Sequence, residues 1–353
     1  MHGEVAGEVL KNVLIIGGGL AGCTAARELS SAGIHCCIVE QSRDIGGKVR
    51  NYGCKSDSKC NNCGLCAVGS LWDDIREDAN VRMLCSASVI DLSQADGEFC
   101  VLIQTESGKI EERFTEIIVA AGFQDVAQTA GAGYDSSDFP RVCTGNALEL
   151  LMKERSIDSL FPEQPDSIAF IMCYGSRTRK ERAAYCSQVC CAYSTRAAKV
   201  IKQYYPGTEV VFFYMDLQAV NPGNYAEELA ARGIRFERCR PAEISFEGDY
   251  PIVAYEDAEG KKQKRFDYLF LNTGIHPDLA QNTALADLTG LKVERSGFLG
   301  YVSEPLETGV YLAGCSRFPM GILDTIASAR NTASILINGE ARGSNWEHKG
   351  GVQ

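Results

Sequence analysis

The sequence lacks three features that would point to a membrane, a secretory route or a nucleic acid. No uninterrupted apolar run approaches the roughly 20 residues that cross a bilayer. The N-terminal stretch carries Glu4 and Glu8 where a secretory signal carries positive charge. The net charge is −11, whereas binding to nucleic acid or to an anionic membrane needs a basic face. We therefore expect a cytoplasmic protein with no nucleic-acid partner and no membrane insertion.

The chain also has no low-complexity segment, and its 45% hydrophobic and 23% charged residues are typical of an ordered globular protein. Its 353 residues exceed the roughly 250–300 that one hydrophobic core usually serves, so two domains are expected. Cysteine, in contrast, is abundant at 16 residues, which without a secretory signal favours metal or redox chemistry over a disulfide scaffold. We expect buried, unreactive thiols at the isolated positions Cys23, Cys36, Cys37, Cys85, Cys100 and Cys239.

The order of predicted elements indicates two α/β units that repeat one another. Each unit has an apolar strand, a helix, a second strand, an antiparallel meander and a closing apolar strand with a glycine turn, IIVAAG in the first and YLFLNTG in the second. GVYLAGC and a final helix then return to the first unit. The predicted fold is α/β, with a discontinuous first domain (1–160 and 285–353) and a second domain (161–284), both of the dinucleotide-binding type.

A dinucleotide fingerprint of the form GxGxxG lies between the first strand and the first helix, and an acid ends the second strand. In such a site the first glycine makes the turn, the second lets a pyrophosphate approach backbone amides, the third allows close packing, and the acid binds ribose hydroxyls. The alternative is an α/β turn that needs its glycines only for packing. The residues concerned are Gly17, Gly19, Leu20, Ala21, Gly22 and Glu40.

The second unit lacks this fingerprint. Its first strand continues into MCYGSR, where only Gly175 remains and Cys173 lies in the turn. Because a backbone without those glycines cannot easily approach a pyrophosphate, we expect no NAD(P)H site here and a cysteine-bound group instead.

Four cysteines of the second unit are candidate metal ligands. On a regular helix adjacent cysteines point about 100° apart, so the helix is expected to be distorted or to begin near this pair. A cubane cluster accepts thiolates from separate directions more readily than a single zinc ion does, although no common ferredoxin spacing is matched and buried free thiols remain the alternative. The candidate ligands are Cys173, Cys186, Cys190 and Cys191.

Taken together, these motifs resemble the A subunit of heterodisulfide reductase and its relatives, from Asn12 to Asn338. The similar stretches are GGGLAG, IIVAAGF, IAFIMCYGSR, YCSQVCCAYSTRAAKVIKQYYP, VVFFYMD and GVYLAGC. The resemblance implies FAD beside a [4Fe–4S] cluster on the four candidate cysteines. The ferredoxin-type domains of the larger methanogen protein have no counterpart in this sequence, so the short form of sulfur-oxidising heterodisulfide reductase-like complexes is expected, or a quinone-interacting oxidoreductase flavoprotein.

Resemblance to flavoproteins of the thioredoxin reductase type implies further FAD contacts. In that type an acid usually follows the late glycine, and this chain has Cys315 there, so backbone contacts are expected instead. Arg196 is either a flavin contact or a solvent-facing helix residue, and the second is favoured. The implied contacts are Gln41, Gly47, Lys48, Val89, Ala121, Gly122, Gly314, Cys315 and Ile322.

A second cysteine group has a ferredoxin-like spacing, but no proline follows it. Three interpretations stay open, in order of preference: thiols near the flavin, reduced or paired in a disulfide; a second cluster; or a zinc site. The group comprises Cys54, Cys60, Cys63 and Cys66.

The resemblance implies a flavin-dependent oxidoreductase that transfers electrons within a multi-subunit complex, in sulfur-compound oxidation or thiol–disulfide metabolism. Its expected partners are iron–sulfur and thiol-active subunits and a second copy of the chain. A stand-alone NAD(P)H-dependent disulfide reductase using Cys63 and Cys66 is the enzymatic alternative, but it needs the missing nicotinamide site. An iron–sulfur scaffold protein is the other alternative, and it leaves the FAD fingerprint unexplained.

Overall fold

The structure is a computed structural model that describes residues 11–54, 56, 59–60, 62–124, 139–154, 161–178, 184–218 and 225–339. Within these ranges, none of the helices has both the length and the apolar character needed to cross a bilayer.

The described residues form strands and α-helices that we number in chain order. The strands are β1 (Asn12–Ile16), β2 (His35–Val39), β3 (Val81–Leu84), β4 (Ser88–Ala95), β5 (Glu98–Thr105), β6 (Gly108–Phe114), β7 (Glu116–Val119), β8 (Val142–Thr144), β9 (Ser167–Ile171), β10 (Glu209–Phe213), β11 (Ile234–Glu237), β12 (Glu243–Glu247), β13 (Tyr250–Asp257), β14 (Gly260–Arg265), β15 (Tyr268–Leu271), β16 (Lys292–Val293), β17 (Leu299–Gly300) and β18 (Val310–Leu312). The helices are α1 (Leu20–Ser31), α2 (Leu71–Glu77), α3 (Gly145–Glu154), α4 (Cys190–Tyr204), α5 (Tyr225–Ala231), α6 (Leu279–Thr289), α7 (Pro305–Thr308) and α8 (Ile322–Asn338).

Two five-stranded parallel sheets carry the fold, and each has a three-stranded antiparallel meander. The first sheet has the order β18-β7-β1-β2-β3, and the second has the order β11-β10-β9-β15-β8. The meanders are β4-β5-β6 and β12-β13-β14. The predicted pair of repeated α/β units is therefore confirmed.

In both units the parallel sheet is covered by helices on one face and by the meander on the other, and this explains the apolar runs in the sequence. Val13 and Ile15 of β1 pack towards α1 and α8, whereas Leu14 and Ile16 pack towards the meander on the opposite face. In the second unit, one face of β9 packs with α4 and the other with β13. Parallel strands that are covered on both faces need continuous apolar runs, which is why β1, β9 and β10 were recognisable in the sequence.

In each sheet, one edge strand pairs with a strand that is distant in the chain. β18 follows the whole second unit in the chain, yet it pairs with β7 in the first sheet. β8 precedes β9, but it pairs with β15 at the edge of the second sheet, with Val142 opposite Leu269. The first domain is therefore discontinuous, as predicted. Residues 142–154, which were expected in the first domain, supply β8 and α3, so that limit needs correction; the limit near 285 stays a prediction.

Candidate functional site

The turn after β1 requires two of its three glycines for reasons internal to the protein. Gly17 has φ +105°, and a Cβ there would lie 2.5 Å from the carbonyl oxygen of Ala120. A Cβ at Gly22 would collide with the carbonyl oxygen of Gly17. These two glycines therefore provide the left-handed turn and the close packing of α1 against it.

Gly19 is different, because nothing in the protein demands glycine there. Its backbone is extended, with φ −74° and ψ −168°, and an added Cβ would meet no atom within 4 Å. The space in front of it leads to the backbone amides of Leu20 and Ala21, the first residues of α1. A free approach to the amides at a helix start is what a pyrophosphate requires, so this turn fits a dinucleotide.

Glu40, the predicted ribose ligand, is nearly buried and anchors two backbone segments. Its Oε2 accepts a hydrogen bond from the Gly18 N–H at 2.7 Å, and its Oε1 accepts one from the Ser42 N–H at 2.7 Å. Each carboxylate oxygen has a second lone pair, so the group can also accept a hydroxyl hydrogen. Glu40 thus fixes the glycine turn against the end of β2 while lining the cavity described next.

A cavity of about 1240 Å³ opens in front of the glycine turn. It exceeds the 300–1,000 Å³ typical of small-molecule sites, as an extended dinucleotide requires. Most of the FAD contacts implied by the sequence lie in its wall. They are Gly17, Gly19, Leu20, Ala21, Glu40, Gln41, Gly47, Lys48, Ala121, Gly122, Cys315 and Ile322.

Gly22, Val89 and Gly314 lie outside the described lining of this cavity. Gly22 and Gly314 act through packing, since a Cβ at Gly314 would approach the Cβ of Ala21 to 2.6 Å. Val89 lies in β4 and packs partly against the core. Its contact with the adenine stays a prediction.

Cys315 occupies the position where related flavoproteins usually carry an acid. Burial raises the pKa of its thiol, and its Sγ lies 3.6 Å from the Met320 carbonyl oxygen that it can donate to. It is therefore neutral at ordinary pH. Asp324, in the first turn of α8, lines the same cavity and places an acid at this end of the site. Sequence reasoning missed it because it lies outside the late motif.

The second unit supplies the other wall of the cavity, which no sequence pattern predicted. These residues come from α3, from α4 and from the turn after β15. No motif marks them, because they lie far from the fingerprint in the chain. They include Asn146, Glu149, Lys153, Tyr193, Thr273, Gly274 and Ile275.

The four candidate ligand cysteines line one small cavity in the second unit. Cys173 lies in the turn after β9 with φ +56°, and Cys186 lies in the loop before α4. Cys190 and Cys191 are the first two residues of α4. Because the helix begins at this pair, it needs no distortion, and the second of the two predicted possibilities is confirmed.

Three of these cysteines, Cys173, Cys190 and Cys191, are buried, which disfavours their ionised form. Burial raises the pKa of the Cys191 thiol to about 11, and it also raises the pKa values of Cys173 and Cys190. As free thiols these three would therefore be protonated. A bound cation would reverse this, because metal ligation deprotonates thiols.

Among the residues that the structure describes, no three or more Cys, His, Asp or Glu side chains are placed to hold a metal ion. A tetrahedral zinc needs thiolates about 2.3 Å from the ion, so its ligands must lie close together. No such single-ion arrangement is preformed in the described part of either cysteine group, and the zinc interpretation of the second group has no geometric support. A cubane cluster differs, because each thiolate binds a separate iron.

The small cavity adjoins the large one. Gln188 and Gln218 line both. Gly274 lines the large cavity, and a Cβ there would lie 3.1 Å from the Sγ of Cys190. A single layer of residues therefore separates the cysteines from the dinucleotide cavity.

The second cysteine group lies on a loop at the rim of the large cavity. Cys63 lines the cavity, whereas Cys54, Cys60 and Cys66 are exposed. Positions 55, 57, 58 and 61 of this loop lie outside the described residues. Of these four cysteines, Cys63 therefore has the position that the first interpretation, thiols near the flavin, requires.

Arg196 is half-buried and lines the large cavity, and its Nη2 donates to the Asn62 carbonyl oxygen at 3.4 Å. The preference for a solvent-facing residue over a flavin contact stays a prediction. Arg196 links α4 to the loop that carries Cys63.

Comparison with known proteins supports the dinucleotide-binding interpretation of the turn after β1. Residues 15–70 match the family of NAD(P)-binding Rossmann-like domains. Nearly the whole chain matches larger proteins. It is 25% identical to the A subunit of ferredoxin:CoB-CoM heterodisulfide reductase of Methanosarcina mazei, over 92% of this chain and 52% of that protein. It is 27% identical to the A subunit of H(2):CoB-CoM heterodisulfide,ferredoxin reductase of Methanothermobacter marburgensis, over 91% of this chain and 62% of that protein.

The chain is therefore similar to heterodisulfide reductase A subunits over nearly all of its length. The resemblance expected from the sequence motifs is thereby confirmed. The chain spans between half and two thirds of the length of those two relatives.

Solved structures with a similar fold include a thioredoxin reductase and a bacillithiol disulfide reductase. The thioredoxin reductase of T. acidophilum superposes on this chain with a TM-score of 0.60 at 16% identity, over 93% of this chain and 98% of that chain. The bacillithiol disulfide reductase Bdr of Bacillus cereus gives 0.57 at 16% identity, over 93% and 98%. At these identities the likeness shows the fold alone, and it confirms the predicted thioredoxin reductase-like architecture.

Proposed function

We propose that this chain is an FAD- and [4Fe–4S]-containing electron-transfer subunit of a heterodisulfide reductase-like complex. The observation that carries the proposal is the shared wall between the dinucleotide cavity and the four-cysteine cavity, formed by Gln188 and Gln218. A homologue of a reductase subunit with two adjoining sites of this chemistry is suited to passing electrons between them.

The large cavity supports FAD as the first cofactor. Its glycine turn leaves space at Gly19 that protein packing does not use, and Glu40 is held where it can receive a ribose hydroxyl. The second unit offers no equivalent turn, because Cys173 and Arg177 occupy the loop after β9. One dinucleotide per chain is therefore proposed, held by the first unit.

The donor set of the small cavity supports a [4Fe–4S] cluster as the second cofactor. Four cysteines line it, which is the ligand number of such a cluster, and the start of α4 adds partial positive charge beside them. The small cavity has a volume of about 10 Å³, which is smaller than a cubane. Cluster binding would therefore require the thiols to move apart.

When bound, FAD can exchange electrons in pairs or one at a time and a [4Fe–4S] cluster exchanges them singly, so a chain that holds both can convert between the two modes. The contribution of the protein chain is to hold the two sites in fixed positions. Ser187, next to Cys186, accepts a hydrogen bond at 3.0 Å from the N–H of Ile275, which lines the large cavity. This bond ties the cysteine loop to the cofactor wall and fixes the spacing of the two sites.

The biological setting is part of the proposal. Because relatives of this chain are named as components of heterodisulfide reductases, we infer iron–sulfur and thiol-active partner subunits, a homodimer and a cytoplasmic complex. Sulfur-compound oxidation or thiol–disulfide metabolism is the inferred pathway class. A quinone-interacting oxidoreductase would use the same two sites with a different acceptor.

The proposal predicts that the FAD-loaded chain is not reduced at a useful rate by NADH or NADPH. The turn after β9 has a cysteine and an arginine where a nicotinamide dinucleotide needs open glycines. Anaerobic stopped-flow measurement of flavin absorbance should show slow, unsaturable reduction by either nucleotide. A one-electron donor such as reduced methyl viologen should bleach the flavin rapidly in the same experiment.

The same assay separates this proposal from a stand-alone disulfide reductase. Cys63 in the wall of the large cavity is the one observation that favours that second candidate, since it places a thiol beside the cofactor. Rapid, saturable reduction by NADH or NADPH, followed by oxidation with a disulfide substrate, would support the second candidate and contradict the first.

A further inference from the structure

The turn after β9 contains the charged side chain of Arg177, which belongs neither to the FAD site nor to the four candidate cluster ligands. Three of its five residues have left-handed backbone conformations: Cys173 at φ +56°, Gly175 at φ +69° and Arg177 at φ +55°. Two of these are not glycine, and such residues rarely adopt this conformation without a local reason. The conformation turns the chain so that Cys173 and Arg177 both line the small cavity.

Other contacts hold this turn in place. Arg240 donates to the carbonyl oxygens of Cys173 at 3.1 Å and of Ser176 at 2.7 Å. The N–H of Tyr174 donates to the Asn272 carbonyl oxygen at 3.0 Å. The turn is thus fixed at both ends by the second sheet and its neighbours.

Arg177 is oriented by a two-pronged ion pair. Its Nη1 donates to Oδ1 of Asp216 at 2.6 Å, and its Nη2 donates to Oδ2 at 2.9 Å. The side chain of Arg177 is only 25% exposed, whereas that of Asp216 is 44% exposed. The guanidinium therefore lies on the protein side of the pair, and the carboxylate lies on the solvent side.

The same guanidinium reaches the cysteine site. Arg177 lines the small cavity together with all four cysteines. Gln218, two residues after Asp216, donates from its Nε2 to Oδ1 of Asp216 at 3.2 Å. Gln218 also lines both cavities. The positive charge in the wall of the cysteine cavity is thus positioned by a carboxylate on its solvent side.

We infer that Arg177 is a positioning residue that raises the reduction potential of a cluster bound by the four cysteines. The inference rests on the proposed cluster. Each electron taken up adds negative charge to a thiolate-ligated site, and a fixed cation beside one sulfur favours the reduced state. Hydrogen bonds to cluster sulfurs act in the same direction.

The test compares full-length chains purified without oxygen: wild type, Arg177→Gln, Arg177→Lys and Arg235→Gln. Arg235 is the matched control, because it loses the same charge but pairs with Glu209 and Glu237 in the second sheet. Redox titration monitored by electron paramagnetic resonance should give a lower cluster potential for Arg177→Gln. Arg177→Lys, which keeps the charge, should lie between that value and wild type, and Arg235→Gln should match wild type.

The iron content of each variant distinguishes a change in cluster potential from loss of the cluster. An iron-replete Arg177→Gln chain with an unchanged potential would overturn this inference alone. If Arg177→Gln holds no iron, Arg177→Lys decides: retention of the cluster supports the charge role, and its loss overturns it. A wild-type chain without a cluster would contradict the proposed function and this inference together.

Discussion

Substitution of Gly19 by valine is expected to remove bound FAD while leaving the chain folded. The extended backbone at Gly19 accepts any residue, and its Cβ would touch no protein atom within 4 Å. The added side chain would instead fill the space in front of the α1 amides. Because each 1.4 kcal/mol of lost binding is about tenfold in affinity, a steric penalty of about 1–3 kcal/mol lowers affinity roughly 5- to 140-fold. Flavin released per chain after denaturation, together with the thermal unfolding midpoint, measures both effects.

Two other glycines serve as controls for this prediction. Gly69 is exposed and lies outside the cavity lining, so Gly69→Val should keep its FAD. Gly22→Val should fail to fold normally, because its side chain would collide with the Gly17 carbonyl oxygen. Full flavin content in a folded Gly19→Val chain would show that the dinucleotide does not lie at this turn.

Serine in place of any one of the four candidate ligands is expected to weaken or abolish the cluster and to leave FAD bound. Losing one thiolate leaves an iron exposed to exchange and to attack by oxygen, while the glycine turn that holds FAD belongs to the other unit. Iron per chain and the paramagnetic resonance signal after reduction measure the cluster, and absorbance measures the flavin. The four variants are Cys173→Ser, Cys186→Ser, Cys190→Ser and Cys191→Ser.

Three further cysteine variants test the specificity of that result. Cys239→Ser, in the second unit but outside both cavity linings, should leave the signal intact. Cys63→Ser and Cys66→Ser should also leave it largely intact. A signal that survives the Cys190 change but disappears with the Cys63 change would place the cluster on the other cysteine group. About eight iron atoms per chain, half of them lost with either group, would mean that both groups bind clusters.

The sequence was sufficient for those parts of the fold that rest on local patterns. β9 and β10 are continuous apolar runs because helices cover one face of their sheet and a meander covers the other. The glycine turn was predictable because its steric demands at Gly17 and Gly22 come from adjacent elements. The start of α4 at Cys190 was one of two predicted possibilities, because adjacent cysteines cannot share a helix face.

The sequence was insufficient where contacts join distant segments. β8 has three residues and no apolar run of its own, so only its pairing with β15 reveals that it belongs to the second sheet. The hydrogen bond from Arg196 of α4 to the Asn62 carbonyl oxygen joins segments that are far apart in the chain. Gly274, of the second unit, becomes a cavity residue only when the two units meet.

The central claim is that one chain holds FAD and an iron–sulfur cluster in adjoining sites. Anaerobic purification of the full chain, followed by measurement of flavin, iron and sulfide per chain, tests this most directly. We expect about one non-covalent FAD, about four iron atoms and about four sulfides per chain, in a yellow-brown protein. A colourless chain that takes up no flavin on reconstitution, or a flavin-loaded chain that retains no iron, would contradict the claim.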